Sequence, residues 1–101
     1  MKRTQAVCIV AALTLGGSSQ AQVSDGTQVR NWASACANCH GTEGVAQPGM
    51  PSLAGRPKDD LLQRLLEFKG GTRPATIMHQ LAKGYSDEQL AALAGYFASR
   101  K

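Results

Sequence analysis

Cys36, Cys39 and His40 stand at the spacing best suited to chemistry in this chain: they sit in the run CANCH, residues 36–40. Three chemistries use such a run. A redox-active dithiol places Cys-x-x-Cys at the start of a helix that follows a strand, where the helix dipole lowers the first thiol's pKa. Here the pattern before Cys36 is helical, so the pair falls at a helix end, where that dipole has the wrong sign. Structural zinc wants four tetrahedral ligands, commonly from two separated pairs. Beyond the leader the chain offers only Cys36, Cys39, His40 and His79, and Cys39 and His40 are neighbours. The third chemistry is covalent attachment of haem, for which Cys-x-x-Cys-His is the c-type pattern. On a helical turn the spacings 36/39 and 36/40 put two thiols and an imidazole on one side. The thiols can then add to the porphyrin vinyl groups while the imidazole reaches the iron. The haem reading is the one the run satisfies in full.

An electron carrier fills the sixth iron position, whereas an open one points to oxygen or peroxide chemistry. The candidates are Met50, Met78 and His79. Met50 lies between Gly49 and Pro51, close after the motif, and reads as a loop residue packed near the haem edge. Met78 follows the breakers Gly70, Gly71 and Pro74, so its segment can swing to the far side of the iron. Thioether with imidazole is a known cytochrome c pairing, and Met78 is the expected ligand. His79 reads as a solvent-facing residue of a short helix and as the substitute should Met78 not bind.

The elements that must position these residues follow from the rest of the chain. Lys2 and Arg3 precede an apolar run, Ala6 to Leu15, and Ser19 and Ala21 form a small-residue cleavage site. The run is shorter than the roughly 20 residues a membrane span needs. Residues 1–21 are therefore expected to be a removed export signal, an uncleaved anchor being the alternative, and residues 22–101 a single domain without a membrane span. Removal takes Cys8 with it, and lowers Lys and Arg from 11 to 9 against 7 Asp and Glu, a net charge of +2. No basic stripe with interleaved aromatics remains, which excludes nucleic acid as the expected partner. A domain this small is marginal on its apolar core alone, and two cysteines cannot build a disulfide framework. A large cofactor would fill the middle.

Ser24 or Asp25 caps a predicted helix over Gly26–Ala37, with Val29, Trp32, Ala33 and Cys36 as its stripe. The following stretch to Pro57 is dense in Gly and Pro and reads as loop. Asp59 or Asp60 opens a second helix with Leu61, Leu62, Leu65, Leu66 and Phe68 on its buried side, ended by Gly70 and Gly71. A last helix runs from Ser86 to about Ser99, with Ser86 and Gln89 as a capping box and Leu90, Leu93, Ala94 and Phe97 as its stripe. No alternating strand pattern occurs. The fold class is all-α, three main helices with long loops.

With the haem motif early, the candidate methionine late and a capped aromatic helix at the end, the chain resembles a class I cytochrome c. The resemblance implies three main helices and long loops wrapped around one covalent haem c, and crossing first and last helices, with Trp32 meeting Leu93, Tyr96 or Phe97. It implies a proline carbonyl that accepts the imidazole N–H, with Pro51 the better match and Pro48 the fallback. It also adds Leu53 and Tyr85 to the haem pocket; Tyr85 either hydrogen-bonds near the haem or packs beneath the last helix. More narrowly, Phe68 to Phe97, together with CANCHGTEG, is similar to the cytochrome subunit of flavocytochrome c sulfide dehydrogenase. Some members of that family carry two haem domains, whereas this chain has one CxxCH. The implied role is a periplasmic electron relay, not itself an enzyme, that accepts electrons from a flavoprotein sulfide dehydrogenase subunit through an exposed porphyrin edge. A freely diffusing carrier is the alternative, and a small haem peroxidase is a third reading. Arg56, Lys69, Arg73 and Lys83 are candidates for steering an acidic partner to that edge.

Overall fold

The computed structural model describes residues 26–101, together with Gly16 and Gly17. Apart from those two glycines, the expected export signal lies outside the described residues, as do the cap candidates Ser24 and Asp25.

Among the described residues four helices follow one another: α1 Gly26–His40, α2 Lys58–Gly70, α3 Met78–Ala82 and α4 Asp87–Ala98, with a short 3-10 turn at Thr42–Gly44. There is no strand among the described residues. α1 runs three residues beyond its predicted end, so the whole CANCH run is helical. α2 begins at Lys58, before either aspartate, because Pro57 holds φ at −56° with an extended ψ and the helix starts directly after it. Asp59 and Asp60 then occupy the first turn, where carboxylates suit the dipole. Gly71 ends α2 in the left-handed conformation at φ 77°, a backbone state that favours glycine, and its N–H bonds the Phe68 carbonyl at 3.2 Å. At α4 the Ser86 hydroxyl accepts from the Gln89 N–H and the Gln89 side chain accepts from the Ser86 N–H, as the capping box predicts.

α4 is the hub. It packs on both α1 and α2, and α3 packs on α2. The buried cluster is Ala33 from α1, Leu61 from α2 and Leu90, Leu93, Ala94 and Phe97 from α4. Trp32, Cys36, Leu53, Leu65 and Tyr85 pack around it half-buried. Tyr96 and Phe97 meet edge to face at 5.1 Å, and the Arg100 guanidinium lies 4.1 Å over the Tyr96 ring. α2 departs from its predicted buried face. Only Leu61 is fully buried, and Leu66 is 38% exposed, because Leu62 and Leu66 open onto a shallow outer groove with Gln63 and Glu67.

Candidate functional site

Between α1, α2, α3 and α4 lies a cavity of about 600 Å³, within the size range of cofactor pockets. Its wall is chiefly apolar. Cys36, Cys39 and His40, in the last turns of α1, all line it, as do Met50, Pro51, Leu53, Met78 and Tyr85. The helix therefore brings two thiols and an imidazole to one cavity. His79 does not line it; the ring is half-buried rather than solvent-facing, and its Nδ1 is buried without a hydrogen-bond partner.

His40 is buried at 8% exposure and its Nδ1 stands 2.7 Å from the Pro51 carbonyl. A carbonyl only accepts, so Nδ1 carries the proton, and Nε2 of the neutral ring keeps its lone pair for a ligand. The loop that delivers Pro51 is tied at its base. The Gly44 carbonyl accepts both the Leu53 and the Ala54 N–H, at 2.8 and 3.2 Å. One rung further out, the Ser52 hydroxyl accepts the Ala46 N–H at 2.9 Å. Gly44 has φ 79°, and a Cβ there would lie 2.8 Å from the Phe97 ring and 3.0 Å from the Ala54 nitrogen. Glycine is required on both counts. The Gly55 N–H reaches the Phe97 carbonyl at 3.0 Å, which fastens the same loop to α4.

Cys36 and Cys39 are free thiols. Burial pushes the Cys36 thiol up from its ordinary value, with a backbone hydrogen bond opposing in part. A redox-active cysteine needs the reverse, a thiol made acidic at a helix N-terminus. Among the described residues no group of three or more His, Cys, Asp or Glu gathers in a way that could hold a metal ion, so the four-ligand zinc arrangement is not assembled. The Tyr85 hydroxyl is likewise pushed up, first by burial and then by the neighbouring Cys36. Of the four cations considered for partner steering, Lys69 pairs with Asp87 at 2.8 Å and Arg73 with Glu67 at 2.7 Å. Their charges are largely balanced. Arg56 lines the cavity and Lys83 is exposed.

Residues 21–97 match the family described as "Cytochrome C oxidase, cbb3-type, subunit III". The chain is 39% identical over 64 residues to the cytochrome subunit of sulfide dehydrogenase from Chlorobaculum tepidum, covering 63% of this chain and 58% of that one. It is 31% identical over 103 residues to cytochrome c-553 from Nitratidesulfovibrio vulgaris, covering 97% and 98% of the two chains. Among solved structures, cytochrome c4 of Acidithiobacillus ferrooxidans superposes with a TM-score of 0.62 at 38% identity, over 64% of this chain and 38% of that chain. The chain thus spans little more than half of the sulfide dehydrogenase subunit and under half of the solved cytochrome c4. Cytochromes c hold haem through covalent bonds, and an apolar cavity with two free thiols beside a tautomer-fixed imidazole fits that group. The helical fold of the described residues, the CxxCH turn and the match over residues 21–97 make the chain a member of that family and a class I cytochrome c.

Proposed function

We propose that the chain is a periplasmic cytochrome with one covalent haem c that relays single electrons, and that its donor is a flavoprotein sulfide dehydrogenase subunit. Residues 1–21 act as the export signal and residues 22–101 as the cytochrome domain. Cys36 and Cys39 would hold the haem through thioethers, His40 and Met78 would ligate its iron, and Pro51, Leu53 and Tyr85 would line its pocket. When bound, the haem supplies a one-electron Fe(III)/Fe(II) couple. The chain's own residues do the rest. Pro51 orients the His40 ring and raises its basicity as a ligand. Leucines of α2 and α4 keep water from the cavity, which favours the less charged ferrous state. With both His40 and Met78 as ligands, the iron would serve electron relay and not peroxide chemistry.

The observation that carries the reading is the 2.7 Å contact between His40 Nδ1 and the Pro51 carbonyl, beside two free thiols lining one cavity. The likeness to the sulfide dehydrogenase cytochrome subunit supports the choice of donor. The ligand set is tested in the oxidised visible spectrum. A thioether–iron charge-transfer band is expected in the wild type and in Met50→Ala, and is lost in Met78→Ala. A band lost in Met50→Ala instead would transfer the axial role to Met50. The donor is tested by native pull-down from the periplasm with spectroscopy for flavin beside haem.

The freely diffusing carrier is favoured by a different observation. The likeness to cytochrome c-553 runs end to end, 97% of this chain against 98% of that one. A strictly monomeric protein in periplasmic extract selects this reading.

A further inference from the structure

Two methionines lie among the described residues, Met50 and Met78, and both line the cavity. Their situations differ. Met78 is half-buried at the start of α3, and its thioether is the one proposed for the iron. A sulfur whose lone pair is given to a metal has less to offer an oxidant. Met50 is 43% exposed, and its sulfur has no role in the site described above. Space is open beside it: a Cβ at the preceding Gly49 would meet no atom within 4 Å. The Met50 N–H donates to the Gln47 carbonyl at 3.2 Å, and the carbonyl of the next residue, Pro51, is the one that orients His40. An accessible, oxidisable atom thus stands one residue from the bond that sets the imidazole.

We propose that Met50 is a modification site: a hydroperoxide converts its thioether to the sulfoxide, and the change lowers the reduction potential of the haem proposed for this cavity. The inference rests on the haem reading above. In the step itself the Met50 sulfur attacks one peroxide oxygen, so that an S–O bond forms as the O–O bond breaks. The sulfur is oxidised by two electrons and the peroxide is reduced. With hydrogen peroxide, the leaving hydroxide takes the proton from the transferred oxygen and departs as water. The product is a polar side chain in place of a flexible apolar one. Against an apolar wall such a group costs free energy unless it is hydrogen-bonded. It therefore turns into the open space beside Gly49 and leaves a gap in the wall next to Pro51. Water entering there solvates the more charged ferric state better, and the midpoint falls.

The test uses matured holoprotein, a small molar excess of hydrogen peroxide, peptide mass analysis and spectroelectrochemistry. The covalent mass increment of haem on the wild-type polypeptide is measured first. A wild type lacking that increment overturns the haem reading itself, and this inference with it. In haem-loaded protein, one added oxygen is expected on the Met50 peptide before any on the Met78 peptide, with the thioether–iron charge-transfer band intact. The reduction equilibrium constant then falls about threefold, which for a one-electron couple is about 28 mV. Methionine sulfoxide reductases, one for each sulfoxide epimer, restore the starting midpoint. Met50→Leu keeps the apolar bulk without the sulfur, and peroxide leaves its midpoint where it was. Oxidation of Met78 first, or of both methionines together, overturns the inference while the haem reading stands. So does a Met50 sulfoxide with the midpoint of untreated protein, or a Met50→Leu midpoint that peroxide lowers equally. Loss of the band on oxidation of Met50 alone overturns the inference together with the ligand set, since it transfers the axial role to Met50.

Discussion

α2 and α4 are almost the same length, and each carries a leucine-rich stripe, yet they finish their folding differently. α4 buries Leu90, Leu93, Ala94 and Phe97 against α1 and α2. α2 has four leucines and a phenylalanine but fully buries Leu61 alone; Leu65 and Phe68 face the cavity half-buried, and Leu66 faces solvent. The difference separates two sources of stability. The stripe of α4 lines the cavity too, yet protein contacts already bury it, whereas Leu65 and Phe68 of α2, with α3 beside them, would gain further burial from the porphyrin proposed for that space. Apolar burial contributes roughly 25 cal/mol per Å², and a domain this small has little other core to draw on.

The widest separation between the two helices is expected on removing the thioethers. Cys36→Ser/Cys39→Ser, which blocks covalent attachment, should cost most of the domain's stability. Hydrogen exchange should show α2 and α3 losing protection ahead of α4. Equal loss in α2 and α4 would break the comparison. The next largest effect is within the folded holoprotein. Phe97→Ala should destabilise by about 3–5 kcal/mol in urea unfolding, the range for a buried aromatic, whereas Leu66→Ala should stay within about 0.5 kcal/mol, as surface changes do. Ser86→Ala removes the N-cap of α4 and should cost about 1 kcal/mol. A larger cost would mean that local capping, and not core packing, sets the stability of that helix. Smallest is Lys69→Met, which breaks the ion pair between α2 and Asp87 at the start of α4. Both side chains are partly exposed, so about 0.2–1 kcal/mol is expected, fading as salt is added.

The same two helices mark how far sequence reasoning reaches. α4 was legible down to its capping box, because Ser86, Gln89 and a stripe at three- and four-residue spacing are local signals. The stripe of α2 was equally clear, but periodicity does not distinguish a side facing protein from one facing a cofactor or solvent. Leu66 shares the spacing of the buried leucines and yet is 38% exposed. The motif turn was legible as chemistry, and its helix proved longer than its apolar stripe because CANCH carries few apolar residues to extend the pattern. Pro51 was reached through family resemblance; its meeting with His40 depends on a loop fold set by Gly44, which no periodic signal encodes. His79 escaped for a similar reason. On a five-residue helix the spacing is too short to say which way a ring points.

The rungs at the base of the 45–52 loop have a consequence for how such chains diversify. The Gly44 carbonyl ties Leu53 and Ala54 to the start of the loop, and Ser52 fastens a second rung to Ala46, so Pro51, which holds the histidine, lies on the tip side of both rungs. The tip has a rung of its own, the Met50 N–H on the Gln47 carbonyl at 3.2 Å, although lengthening a closed loop in general costs slowly, about 0.6 kcal/mol per doubling. Extra residues inserted at that tip would break the 47/50 rung beside Pro51 and so loosen the carbonyl that orients the imidazole. Any new recognition surface grown there is thus coupled to the bond that orients His40.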